Sequence, residues 1–169
     1  MAMRDRFTTA TKMANTAEAL VSRVRNARKD QTDKDISISA SAGIDPMLLA
    51  LATELALKAL ITFDQGTKVI RTHDLFKLFN MLTPEQRERI ESDFQTTYPW
   101  YAPSPMDPLG QDVASILEHH ADAFVRWRYM HEMTQGSFCL SEIEDVVDTL
   151  LRLFRGRFVT VPYPTGSYC

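Results

Sequence analysis

Residues 46–63 read PMLLALATELALKALITF, and the fold turns on this stretch. Asp45 can serve as an N-cap, and Pro46 suits the first helical position, where a missing N–H costs nothing. Leucine and alanine dominate the run, both strong helix formers, and no glycine or further proline interrupts it before Gly66. Met47, Leu48, Leu49, Leu51, Leu55, Leu57, Leu60 and Ile61 cover nearly the whole circumference, so the helix has to be buried on most sides, with Leu55 in the core. Only Thr53, Glu54 and Lys58 break the pattern. Glu54 precedes Lys58 by one helical turn, the favourable order for an ion pair. A helix of this kind must be wrapped by others.

The flanking sequence supplies them. Phe7, Ala10, Met13, Ala14, Ala17, Leu20, Val21 and Val24 recur at helical spacing, predicting a first helix over 7–25. Its basic end (Arg23, Arg25, Arg28, Lys29) suits the negative pole of the helix dipole. Residues 29–43 lack periodicity and read as a loop. Beyond Gly66, Thr72 is the expected N-cap of a short helix with Asp74 in its first turn and Leu75, Phe76, Leu78, Phe79 and Leu82 inward. Thr83, Pro84 and Gln86 form a capping box with proline at the first position, opening a polar outer helix that ends near Thr97. Residues 98–110 are rich in proline and carry Tyr98, Trp100 and Tyr101, a loop with aromatic anchors. A second long helix is expected over 111–135, with Val113, Leu117, His120, Phe124 and Trp127 along one face. A last helix opens on a capping box at Ser141 and Glu144 and closes at Gly156, and 155–169 form an extended tail. The chain therefore reads as one all-α domain, a single helical bundle of five or six helices.

Composition narrows the functional classes. The chain has 169 residues, 44% hydrophobic and 24% charged, with a net charge of −3, so the overall field does not mark a nucleic-acid binder. Cys139 and Cys169 make no disulfide framework, and a reducing, cytoplasmic setting is expected. No signal peptide is expected, and 46–63, broken by Glu54 and Lys58, reads as a core helix rather than a membrane span. Gly-rich phosphate loops, Cys-x-x-Cys pairs and Gly-x-Ser-x-Gly elbows are missing from the sequence. His119 and His120 stand about 100° apart on a helix and cannot both grip one ion from one face. His120 is expected in the core and His119 at the surface, and neither a metal nor a cofactor is expected.

Three blocks carry a more specific signal: ATELALKALI at 52–61, RTHDLFKLF at 71–79 and FVRWRYMHE at 124–132. In this order they resemble the HEPN domain family (higher eukaryotes and prokaryotes nucleotide-binding), and the resemblance spans about 45–154. It implies an all-α bundle, usually a homodimer. Many members carry an Arg-x4–6-His signature and cleave RNA without a metal, and Arg126 and His131 have that spacing. His131 would then move a proton between the 2′-hydroxyl and the leaving oxygen, while Arg126 would stabilise charge on the phosphate. Glu54, Lys58, His73, Asp74, Arg128 and Glu132 are the supporting polar residues. The family's nuclease motif usually has a small polar residue after the arginine, where this chain has Trp127. On a straight helix Arg126 and His131 stand about 140° apart, and Arg128 and His131 about 60°. A two-fold dimer would gather the first pair from both protomers. The bland alternative is that Arg126, Arg128 and Glu132 pair with Glu54, Lys58 or Asp74 and orient the bundle. The resemblance thus implies either a metal-independent endoribonuclease of toxin or RNA-defence type, with an antitoxin protein as partner, or a noncatalytic dimeric module holding a nucleotide, an RNA or a protein.

Overall fold

The computed structural model describes residues 3–32, 44–66, 70–103, 110–128 and 138–157, with residues 3–4, 30–32 and 127–128 described in backbone alone. Among them are seven α-helices and no strand: α1 (Met3–Thr32), α2 (Ile44–Gln65), α3 (Leu75–Asn80), α4 (Pro84–Thr97), α5 (Val113–His119), α6 (Ala123–Arg128) and α7 (Leu140–Arg155), with one 3-10 turn at Pro99–Tyr101. The all-α bundle is as expected.

Helix α2 is the axis. Leu49, Ala52, Ala56, Leu57, Ala59, Leu60 and Ile61 are all at most 2% exposed. Burying one such leucine contributes about 1.5–3 kcal/mol. By length and composition α2 could cross a membrane, but 67% of its apolar window is already covered by the rest of the chain. Its most extensive partner is α1, followed by α7 and then α6. On α1, Ala10, Ala14, Ala17, Val21 and Val24 form the buried stripe, and small side chains on both helices allow close approach. Phe63 joins the three elements at one end, 4.8 Å from the Phe7 ring and 5.7 Å from Phe154. Leu55 is only partly buried against this core, on a less covered face of α2.

Several boundaries differ from the sequence reading. Helix α1 continues beyond residue 25 to Thr32, so Arg25 and Arg28 are not at a helix end. They bridge helices instead. Arg25 Nε lies 2.5 Å from Glu144 of α7 and also pairs with Asp148, while Arg28 reaches Glu144 at 2.8 Å and Asp45 of α2 at 3.3 Å. The N-cap of α3 is Asp74, whose carboxylate accepts from Lys77 N–H at 2.8 Å; Thr72 Oγ1 accepts the Asp74 N–H instead. The Thr83–Gln86 capping box and Pro84 stand as read. Helix α7 starts at Leu140, with Cys139 at the cap position and no side-chain cap, so Ser141 lies inside the helix. Of the aromatic anchors, Tyr101 donates to Asp145 at 3.1 Å, but Trp100 is 68% exposed. Gly110 closes that loop at φ +61, where a Cβ would come within 2.7 Å of Tyr101 O.

The largest departure is the helix expected over 111–135. It ends at His119, turns through 120–122 and restarts at Ala123. The turn frees Ala121 C=O, which accepts the Leu75 N–H at 2.9 Å and so satisfies an orphan donor at the start of α3. Asp122 C=O in turn accepts the Arg126 N–H at 2.9 Å. A second long-range cap fixes the other end of α5. Glu91 of α4 accepts the Val113 and Ala114 N–H groups at 2.8 and 3.0 Å. Burial pushes the Glu91 carboxyl above its ordinary value, more than these bonds lower it.

Candidate functional site

The α5–α6 turn brings α6 beside the connection that runs from residue 70 to α3 and beside the middle of α2. Here the side chains of Glu54, Lys58 and His73 converge. The Glu54 side chain is 4% exposed and that of Lys58 11%. Lys58 Nζ donates to Glu54 Oε1 at 2.6 Å, and His73 Nδ1 meets both carboxylate oxygens at 3.0 and 3.1 Å. A buried carboxylate is tolerated only when its oxygens are hydrogen-bonded, and among the described side chains Lys58 and His73 meet this one. The His73 ring stands 5.5 Å from the Phe124 ring of α6 at 31° between planes. One contact cluster therefore touches all three sequence blocks singled out above: Glu54 and Lys58 from the first, His73 from the second, Phe124 from the third.

Asp74 belongs to the same connection but turns to its own helix. Burial raises its carboxyl, but the Lys77 backbone and side-chain donors outweigh that and hold it below the ordinary carboxylate range. Arg126 lies apart. Two residues beyond Phe124, its position is about 200° further round α6. Its side chain is 46% exposed, and among the described residues it pairs with Asp122 at 3.8 Å, an exposed i,i+4 ion pair beyond hydrogen-bonding distance. It therefore does not brace Glu54 or Asp74, the bundle role considered for it. His131 and Glu132, and the side chain of Arg128, lie outside the described residues. The structure thus brings together Glu54, Lys58 and His73, places Arg126 at the surface of the neighbouring helix, and leaves the Arg126–His131 juxtaposition undescribed.

The other side of the same turn holds His120, 2% exposed, with Nε2 3.5 Å from Glu142. Burial depresses the His120 imidazole, His119 beside it adds to the effect, and Glu142 offsets part of it. His119 is exposed, as expected. A cavity of about 340 Å³ opens here, lined among others by Ser115, His119, Cys139 and Glu142. Another of about 340 Å³ separates α1 from α7, but Arg25 and Arg155 pair across it with Asp148 and Glu18. Among the described residues, no group of three or more His, Cys, Asp or Glu side chains could hold a metal ion.

Sequence reasoning named Glu54, Lys58 and His73 but did not join the histidine to the acid. Their separation in sequence carries no periodicity, and only the path of residues 70–74 across α2 creates the contact. No family model, curated protein or solved structure matches this chain.

Proposed function

We propose that the protein is a HEPN-like ribonuclease that cleaves single-stranded RNA without a metal, acting as a homodimer. The observation that supports this reading is the meeting of the three family-like blocks at Glu54, His73 and Phe124, with Arg126 exposed on the same short helix. A half-exposed guanidinium whose partner among the described residues is the exposed Asp122 would be available to a phosphate, and charge stabilisation there would lower the barrier as negative charge builds on the phosphoryl oxygens. His131 would move the proton between the 2′-hydroxyl and the leaving oxygen. The use of the 2′-hydroxyl as nucleophile makes RNA the substrate and spares DNA. A cytoplasmic location and an antitoxin partner accompany this reading.

The purified protein should cut single-stranded RNA in EDTA, leave 2′,3′-cyclic phosphate ends, and spare a DNA oligonucleotide of the same sequence. Arg126→Ala and His131→Ala should each lower the rate by about 10²-fold. Sedimentation should show a dimer of the 19.3 kDa chain. A folded dimer that cuts no RNA would move the assignment to a noncatalytic module that binds RNA, a nucleotide or a protein.

A further inference from the structure

The Glu54–His73 contact has a buried end and a wet end. The acid is 4% exposed and the His73 side chain 51%. A carboxylate can only accept, so the hydrogen between them belongs to His73 Nδ1, and the neutral ring carries its lone pair on Nε2, across the ring from Glu54. Lys58 holds the acid in place at 2.6 Å, and the Phe124 ring at 5.5 Å flanks the imidazole. The other histidine–carboxylate pair among the described residues differs: the His120 side chain is 2% exposed, so its ring, with Nε2 3.5 Å from Glu142, has no wet end. A carboxylate fixing one ring nitrogen while the other faces outward is the arrangement by which an imidazole becomes a proton acceptor of defined tautomer.

We propose that His73 is a catalytic proton-transfer residue and Glu54 its positioning residue, acting on the 2′-hydroxyl of RNA laid across the junction of α3 and α6. The assignment rests on the ribonuclease reading above. His73 Nε2, rather than His131, takes the 2′-hydroxyl proton as the 2′-oxygen forms its bond to phosphorus, and His131 serves the leaving oxygen alone. The bond from phosphorus to the 5′-oxygen breaks, that oxygen takes up a proton, and the imidazolium returns its own to solvent. No net proton is gained or lost, and the ends are a 2′,3′-cyclic phosphate and a 5′-hydroxyl. Arg71 is exposed two residues before His73, no more than about 7 Å along the backbone, and supplies a cation near the phosphate.

Two measurements test this on the full chain. The first compares wild type, His73→Gln, His73→Gly and Glu54→Gln/Lys58→Met on single-stranded RNA in EDTA. The double variant removes acid and ammonium together, so that no buried charge is left alone. His73→Gln should lower kcat by about 10²-fold with KM little changed, and added imidazole should restore part of the rate to His73→Gly. The double variant should also lose in kcat rather than KM. The second measurement, nitrogen-15 NMR of the ring, should find neutral His73 as the Nδ1–H tautomer in wild type and a mixture in the double variant. Folded His73→Gln cutting at the wild-type rate would overturn the role of His73 while leaving Arg126 and His131 in place. A wild type that cuts no RNA would remove both assignments. An Nε2–H tautomer in wild type would overturn the proposal whatever the cleavage assay gives.

Discussion

The Glu54–Lys58–His73 cluster and the Arg25–Arg28 cluster both tie helices together with carboxylates, and they differ in almost everything else. Arg25 and Arg28 are 41% and 32% exposed, and between them they engage Glu144, Asp148 and Asp45. Every charge there is matched across the α1–α7 groove or onto α2, and water screens what remains. Glu54 and Lys58 are sealed inside, and the one group that leads outward is a histidine. The first arrangement explains helix placement completely. The second uses a costly buried ion pair to hold an exposed imidazole, which is why it attracts a functional reading and the first does not.

The largest expected effect breaks the second cluster. Lys58→Ala leaves Glu54 buried with His73 as its remaining partner and should cost about 3–5 kcal/mol of unfolding free energy by urea titration. Glu54→Gln/Lys58→Met should restore most of it. A loss under about 1 kcal/mol for Lys58→Ala would mean that His73 compensates the acid by itself, and the contrast between the clusters would shrink.

The counterpart in the first cluster is smaller. Arg25→Ala should cost on the order of 1 kcal/mol, because both of its pairs are partly solvated, and the loss should diminish in molar salt. A salt-insensitive loss as large as that of Lys58→Ala would place the two clusters in the same class.

The smallest effect comes from His120, which belongs to neither cluster. Burial lowers its folded value below the ordinary 6.5, so between the two values the unfolded chain binds more protons than the folded one. Its contribution to stability is present above pH 6.5 and is lost as pH falls through the folded value. His120→Gln should flatten that part of the stability–pH curve, leaving carboxylate titration at lower pH unchanged. An unaltered slope below pH 6.5 would show that His120 does not carry the effect.

Much of the bundle was legible in the chain because it rests on local chemistry. The all-round apolar run made α2 a central helix, the apolar stripe gave α1 one buried face, and Thr83, Pro84 and Gln86 marked the start of α4 to the residue. The Glu54–Lys58 pair was legible for the same reason, since one helical turn separates its members. The interruption at 120–122 was not, because neither glycine nor proline marks it. It exists because Ala121 C=O finds a better partner in Leu75 N–H than the next turn of helix would give, and that donor is distant in sequence. Glu91 capping α5 and Arg28 reaching Glu144 are invisible for the same reason. So is the contact at the centre of the candidate site. The sequence by itself determined that an acid and a lysine sit one turn apart on the core helix; it set His73 at the start of the short helix after Thr72, where the structure has the connection into α3. Only the tertiary structure decided that the connection crosses α2 at that acid, because hydrogen bonds to a buried carboxylate are set by where the chain returns in space and not by any period along it.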